Sequence, residues 1–303
     1  MSLDRRRGRR HLGLRALRKS GLLGRVGTVT TVTHSGREIS VPIVGGIGLQ
    51  HRAITEPQLE PALRASLAMR EGTFVDVGAH LGETLIKLLA YGEGQPYLGF
   101  EPNVRAAAYV EQLLAANPTQ RGWVVAVALS DRRRVAELRL ESELDSGASI
   151  VAGFRAERRY RERRVTVALP GDEIMTEREV APVGVLKIDT EGAELDVLRG
   201  CAGTLERDRP LIHCEILPIV DDDTEISRFR RTRADELVAF AVDRGYVVVG
   251  VAADGELVEL ERIPGVSPAE RADPSRNFLL MRDYVLMPSG DRDRFMRLSA
   301  ATG

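Results

Sequence analysis

The stretch TFVDVGAHLGETLIKLLAYGEGQPYLGFEP, residues 73–102, decides the fold class. TFVDVG is a short apolar run closed by glycine, which reads as a buried strand. GETLIKLLAYG repeats its apolar residues at helical spacing, and YLGFEP is a second apolar run. Strand, helix and strand in so short a stretch make a βαβ unit, and strands buried on both faces read as continuous apolar runs rather than alternating ones. The rhythm continues. VRAAAYVEQLLAANP (104–118) is a helix stopped by Asn117-Pro118, and WVVAVALS (123–130) is a third strand. VGVLKIDTEG (183–192) is a fourth strand, followed by the helix AELDVLRGCAGTLERD (193–208), and PLIHCEI (210–216) is a fifth. ADELVAFAVDRG (234–245) is a helix, YVVVGVA (246–252) a sixth strand and NFLLMRD (277–283) the last. The alternation predicts an α/β fold with a doubly wound, mostly parallel sheet and right-handed crossovers.

Outside this core the pattern differs. Residues 133–170 interrupt the rhythm and read as an insertion. They hold the small-residue loop DSGASIVAG (145–153), a candidate lid, and the Arg-rich RAERRYRERR (155–164). The latter reads as a solvated helix with Glu157 and Glu162 interleaved; recognition of an acidic acceptor is the alternative. Upstream, VGTVTTVTHSGREISVPIV (26–44) has β-branched runs on either side of Ser35-Gly36, a hairpin signal. Residues 54–71 read as a helix with Pro61 near its first turn. The expected organisation is a basic, frayed arm (1–25), a hairpin-and-helix prelude (26–71), the main α/β domain (72–285) and a C-terminal tail (286–303).

Of the 303 residues, 43% are hydrophobic and 29% charged, which excludes a disordered or collagen-like chain. No apolar run approaches the roughly 18–20 residues of a spanning helix. The first residues lack the apolar core of a secretory signal, so the cytoplasm is the expected compartment. A net charge of −1 gives no bulk attraction to nucleic acid, and no such partner is expected. The charge is uneven. Residues 1–25 hold nine Arg or Lys against Asp4, and weak contact with an acidic membrane surface is the alternative to a frayed arm. Lysine occurs only at 19, 87 and 187, so forty basic residues are Arg, as codon bias in a GC-rich genome would produce. The two cysteines, Cys201 and Cys214, stand in apolar surroundings without CxxC spacing and read as buried thiols rather than metal ligands.

In an open parallel sheet, ligands bind beyond the carboxyl ends of the strands where strand order reverses. Polar residues gather at those ends: Asp76 and Gly78, Glu101, Ser130 and Asp131, Asp189 and Glu191, and Glu215. The turn DVGAHLGET (76–84) is neither GxGxxG nor a phosphate loop, since its glycines lie four apart and no Gly-Lys follows. Gly78 and Gly82 would let a ligand approach the backbone, with His80, Glu83 and Thr84 beside it. Asp76 and Glu83 would repel a pyrophosphate and suit a ligand bearing ammonium and sulfonium cations, which favours S-adenosylmethionine over NAD or ATP. A carboxylate at Glu101 can accept both ribose hydroxyls, and Ser130-Asp131 stand where an adenine amino group could be met. Asp189 should face the reactive end. For Glu191, helix capping is an equal alternative, and Thr190 with Glu194 could build a cap.

DVGAHLGET, GFEPN, VALSD, LKIDTEGAELDVLRG and HCEI occur in this order at fitting separations, and together they resemble the FkbM-type family of SAM-dependent methyltransferases. The resemblance covers about residues 74–215, with a looser echo at RNFLL (276–280). It implies a class I, Rossmann-like methyltransferase sheet of seven strands with the last antiparallel. It also implies SAM bound across the first three strands, S-adenosylhomocysteine (SAH) as product, and a hydroxyl acceptor on a sugar or secondary metabolite. By position it places Asp76, Gly78 and Gly82 at the methionine and ribose, Glu101 at the ribose, Ser130-Asp131 near the adenine, and Asp189 and Glu191 by the methyl group. His80 departs from a frequent Asn, and ALPGDEI (168–174) from a Leu-Asp-Asp stretch.

Methyl transfer to an alcohol needs a proton acceptor, and Asp189 is the first candidate, with His80, Glu191, His213 and Glu215 behind it. A Mg²⁺ ion held by Asp189 with Glu191 or Glu215 is the less favoured route. Two rival classes are a non-catalytic SAM-binding scaffold and a NAD-dependent Rossmann oxidoreductase. The latter is disfavoured because Tyr160 is followed by Arg164 rather than Lys. Acceptor identity and oligomeric state are not legible.

Overall fold

The computed structural model describes residues 27–92, 94–221, 223–272 and 282–302. The basic arm 1–25 and RNFLL (276–280) lie outside the described residues. The chain opens with β1 (Thr28–His34) and β2 (Arg37–Ile43), paired antiparallel. Ser35 and Gly36 turn this hairpin at φ 50° and 78°, the left-handed pair that matches strand twist. Helix α1 (Glu60–Met69) follows, with Pro61 in its first turn. Next come β3 (Thr73–Val77), α2 (Glu83–Tyr91), β4 (Tyr97–Phe100), α3 (Val104–Ala116) and β5 (Gly122–Val125). The insertion contributes β6 (Ala128–Leu129), β7 (Arg134–Leu140) and β8 (Glu162–Leu169). Then follow α4 (Gly171–Glu177), β9 (Val183–Ile188), α5 (Glu194–Gly200), α6 (Ala202–Asp208), β10 (Leu211–Glu215) and β11 (Ile219–Val220). The chain finishes with α7 (Glu225–Val242), β12 (Tyr246–Val251), β13 (Leu257–Leu260), β14 (Gly265–Val266), α8 (Pro268–Ala272), β15 (Asp283–Pro288) and α9 (Arg292–Thr302).

The central sheet has the order β13-β12-β15-β10-β9-β3-β4-β5. Its β10-β9-β3-β4-β5 part is parallel, and β15 runs antiparallel to both β10 and β12. The fold is thus the expected mostly parallel α/β sheet with a reversed last strand. The strand count is corrected to eight. After β12 the chain turns back at Asp254-Gly255, with Ala252 N–H donating to Glu256 O at 2.9 Å, and β13 adds to the edge. Among the described residues no helix is long and apolar enough to cross a membrane.

Each face of the sheet is covered by apolar side chains. On one, Leu186, Ile188 and Ile212 pack with Leu195, Leu198 and Leu205 of α5 and α6 and with Leu237 and Val238 of α7. On the other, Phe74 and Val185 pack with Leu85, Leu88, Val110 and Leu113, and there Ile39, Val41 and Ile43 dock the N-terminal hairpin. Burial of each such side chain contributes about 1.5–3 kcal/mol, so the hairpin is part of the core rather than an appendage.

Three further expectations are corrected. WVVAVALS is not one strand: β5 stops at Val125, and β6 joins a separate three-stranded sheet, β6-β8-β7. RAERRYRERR is not a helix. It forms a short 3-10 turn at Glu157–Arg159 and then enters β8, where Arg163 lies opposite Arg139 and pairing with β7 overrides helical charge spacing. The last strand lies further along than NFLLMRD, because YVLM supplies the fully buried run that a strand between β10 and β12 requires. Residues 286–302 accordingly are not a tail. They finish β15 and form α9, whose Phe295 is buried against Met69 and Met287.

Candidate active site

Strand order reverses between β3 and β9: from β3 the chain builds outward to β4 and β5, then returns to lay β9 and β10 on the opposite side. The loops after β3 and β9 meet closely. Asp189 N–H donates to Val77 O at 2.9 Å, and a Cβ on Gly78 (φ 86°) would stand 1.8 Å from the Asp189 carbonyl oxygen. Gly78 is therefore required by contact between two chain segments, and it also lines the cavity beside them. A cavity of about 730 Å³ opens beside this contact, a size suited to small-molecule sites. Its walls are the loops after β3, β4, β9 and β10, residues 145–148, Ile150, Arg155 and Arg159 of the insertion, and Gln50, Thr55 and Glu56 of the prelude.

Under β3 and β4 the wall holds Gly78, His80, Glu83, Thr84 and Glu101. Glu101 accepts N–H bonds from His80 (2.8 Å) and Asn103 (2.7 Å), one on each oxygen, which leaves each oxygen a free lone pair. Burial pushes its carboxyl up to about 6, with those bonds and the His80 charge opposing, so it is ionised at neutral pH. His80 sits at φ 44°, with Nδ1 3.4 Å from Glu83 Oε2 and Nε2 3.3 Å from Leu144 O. Burial works against its charge, but the hydrogen bond and charge of Glu83 and the charge of Glu101 lift it to about 9. His80 is thus a cation at neutral pH and not a proton acceptor. Its folded pKa lies above the free value of 6.5, so its contribution to stability is complete below pH 6.5 and is lost as pH rises toward 9. In His80→Asn, which tolerates the left-handed backbone, the fall in Tm between those pH values should flatten; an unaltered slope would contradict the pairing.

Under β9 and β10 the wall holds Lys187, Asp189, Glu191 and Glu215. Asp189 and Glu215 are hydrogen-bonded, and Lys187 Nζ lies 3.5 Å from Asp189 Oδ2. Burial would raise both carboxyls, but Lys187 and the bond from Glu215 hold Asp189 below its ordinary value. Glu215, buried beside that anion, is raised and keeps the proton. The pair therefore carries one proton and one charge. Glu191, at φ 54°, is gripped by Arg155 of the insertion; burial raises it to about 7, with Arg155 opposing. Ser149 Oγ donates to Glu191 O at 2.7 Å, and the Phe154 ring fills the space over Gly192 where a Cβ would clash. The DSGASIVAG loop and the start of the Arg-rich segment thus clamp the loop after β9. Glu194 accepts from Gly192 N–H at 2.8 Å and Thr190 Oγ1 at 3.1 Å, which braces the turn before α5, but neither side chain caps the helix N-terminus as expected.

Four expected cofactor contacts do not line the cavity. Asp76 is fully buried and accepts the Tyr97 hydroxyl at 2.8 Å; its other oxygen has no partner among the described residues, and burial raises its carboxyl to about 6. Gly82 faces Leu113 of α3, which a Cβ would meet at 2.8 Å. Ser130 and Asp131 lie beyond β6, because β5 ended five residues earlier, and Asp131 lines a second hollow instead. His213 does not line the cavity either: Ser66 Oγ lies 2.8 Å from its Nε2, and burial lowers it to about 3. Among the described residues no three His, Cys, Asp or Glu side chains are grouped to hold a metal ion; the Asp189–Glu215 pair faces Lys187 instead.

The sequence reading missed Lys187, Arg230 and Arg282 of the wall; Arg155 and Arg159 it reached only through the alternative reading of the Arg-rich segment. Lys187 had a signal. The two described lysines, 87 and 187, are both buried, and each touches a carboxylate, Glu56 at 2.5 Å and Asp189. In a chain that otherwise uses arginine, lysine remains where a compact point charge must be enclosed. Arg230 and Arg282 had none, since distant segments bring them to the cavity.

A family model described as Methyltransferase FkbM domain matches residues 76–248. No curated protein matches. Among solved structures, a methyltransferase FkbM from Methylobacillus flagellatus is similar at 15% identity and a TM-score of 0.42, over 71% of this chain and 43% of its own length. The chain thus spans less than half of that relative. An O-methyltransferase from Bacillus cereus, solved with SAH, is similar at 11% identity and a TM-score of 0.43, over 77% of this chain and 80% of its own. A precorrin-6y C5,15-methyltransferase from Geobacter metallireducens is similar at 10% identity and a TM-score of 0.37, over 77% and 90%.

Proposed function

Because the chain belongs to the FkbM methyltransferase family, we propose that it moves the methyl group of S-adenosylmethionine to a hydroxyl oxygen of a sugar or secondary-metabolite small molecule, leaving SAH. The observation that carries this reading is that one cavity at the strand-order reversal holds both an ionised Glu101 and the singly protonated Asp189–Glu215 pair.

The wall suits the cofactor. Glu101 has a lone pair left on each oxygen for two ribose hydroxyls. Phe100, Pro102, Val127, Leu129 and Leu138 supply an apolar bed for a base. When bound, the sulfonium supplies an electrophilic methyl carbon. The protein's part is alignment and proton removal. Holding reacting atoms in line is worth roughly 7–11 kcal/mol. Asp189 accepts a hydrogen bond from the acceptor hydroxyl and orients a lone pair for attack. As the C–O bond forms, that oxygen becomes positive and its proton strongly acidic, so a carboxylate of low proton affinity suffices to take it. Glu215 keeps its proton on Asp189, and Lys187 holds the charge of the pair in place.

Calorimetry tests the first half of the proposal. SAH should bind saturably and NAD should not, and Glu101→Gln should weaken SAH by about tenfold or more, since it loses charge-assisted bonds. Binding of NAD in place of SAH overturns the reading.

A further inference from the structure

The two N–H groups that Glu101 accepts belong to His80 and Asn103, and the side chains of these same residues hold the insertion. Asn103 Nδ2 donates to Glu143 O at 2.8 Å, and Nε2 of the cationic His80 donates to Leu144 O at 3.3 Å. Consecutive carbonyls of the insertion are thus held by the two residues that hold the carboxylate. The other end of the Asn103 amide is also engaged: its Oδ1 accepts Arg105 N–H at 3.2 Å, which caps α3, and Arg164 of β8 at 3.3 Å.

From these anchors the chain runs along the cavity wall. Asp145 accepts N–H bonds from Glu141 at 2.8 Å and Gly147 at 2.9 Å, which shapes the bend. Ser149 does not line the cavity; its backbone pairs with Arg139 of β7 through bonds of 3.1 and 2.9 Å. That pairing frees Ser149 Oγ to donate to Glu191 O at 2.7 Å while it accepts Val151 N–H at 3.0 Å. Arg155 then grips the Glu191 side chain, and the Phe154 ring covers Gly192. Glu191 stands at φ 54° and Gly192 at φ 110°. A glutamate keeps a left-handed backbone only where its surroundings impose one, and here the insertion supplies those surroundings. One segment, 143–155, therefore joins the neighbours of Glu101 to the loop that carries Asp189 and Glu191.

We propose that Asn103 and Ser149 are positioning residues at the two ends of a strap, through which a cofactor seated on Glu101 fixes the acceptor side of the cavity. This rests on the methyl-transfer reading and deepens it by an order of binding, cofactor before acceptor. Ribose hydroxyls on the free lone pairs of Glu101 immobilise the carboxylate, the N–H groups of residues 80 and 103, and the carbonyls those residues hold. An acceptor then meets a wall already ordered and loses less conformational freedom on binding. The coupling is reciprocal, so loosening the strap at its far end weakens the cofactor.

Hydrogen–deuterium exchange on the full chain tests this, with each protein compared free and saturated with SAH, so that a loss of stability common to both states cancels. In the wild-type protein SAH should slow exchange in 141–148 and in 189–196. Ser149→Ala should keep the first protection and lose at least half of the second. Its SAH affinity should fall by about fivefold or more by calorimetry, although residue 149 does not line the cavity. Asn103→Ser retains a capping oxygen for α3 but removes the amide donor, and should lose the protection in both segments. A merely structural role would lower Tm and leave the effect of SAH on exchange as it was. Protection of 189–196 that survives Ser149→Ala, an SAH affinity that Ser149→Ala leaves unchanged, or protection of 141–148 that survives Asn103→Ser overturns this inference alone. Failure of the wild-type protein to bind SAH overturns the methyl-transfer reading beneath it.

Discussion

Asp189→Asn is expected to lower methyl transfer by about 10²–10⁴-fold while leaving SAH affinity within about tenfold. The substitution keeps size and shape. It also keeps the loop, because the contact joining β3 to β9 is made by the backbone N–H of residue 189 to Val77 O, not by the side chain. What disappears is the anion that accepts the acceptor proton. An amide cannot take it, and Glu215 loses the anion that now holds its proton. Single-turnover transfer with labelled SAM gives the rate, and calorimetry with SAH gives the affinity. Turnover at the wild-type rate would remove Asp189 from the mechanism and leave Glu191 as the carboxylate of the wall with a proton affinity near neutrality.

Lys187→Met should cost about 3–5 kcal/mol of stability, the penalty for leaving buried charge unpaired, and lower Tm by about 10 °C. Lys187 lies in register between Asp76 on β3 and His213 on β10, and its ammonium is raised in proton affinity, against burial, by Asp189, Glu215 and Asp283. Without it the Asp189–Glu215 pair should bind its second proton more readily. Residual activity should then appear only at higher pH than in the wild-type protein. The direction follows from the sign of the interaction: the ammonium holds Asp189 low, so its removal raises Asp189. Lys187→Arg is no substitute, since a planar, forked guanidinium does not replace a compact point charge. An unchanged Tm and pH profile in Lys187→Met would show that another group holds the pair.

The legible parts of the site were those where local chemistry and function coincide. Asp189, Glu191 and Glu215 end buried strands, and an acid in that position must face the crevice. Glu101 was found by the same argument. Asp76 was misplaced because side chains alternate along a strand. It lies one residue before the strand's end and turns into the protein, where Tyr97 meets it. Ser130 and Asp131 were misplaced because WVVAVALS has no Gly or Pro to mark where β5 stops and β6 departs for another sheet. The Arg-rich segment was read from i,i+4 charge spacing, a weak preference that pairing with β7 outweighs.

The amino-acid order by itself determined the α/β class, the hairpin turn at Ser35-Gly36, the glycine bend after β3 and the acids at the strand ends. Each of these is set by residues within a few positions of one another, through periodicity, backbone freedom and burial. Only the tertiary structure decided which acid keeps the shared proton, that His80 is a cation, and that arginines from the insertion, α7 and the entrance to β15 face one cavity. Those properties arise from charges far apart in the chain and close in space. Proton affinity depends on desolvation and neighbouring charge, and neither exists until the segments have packed.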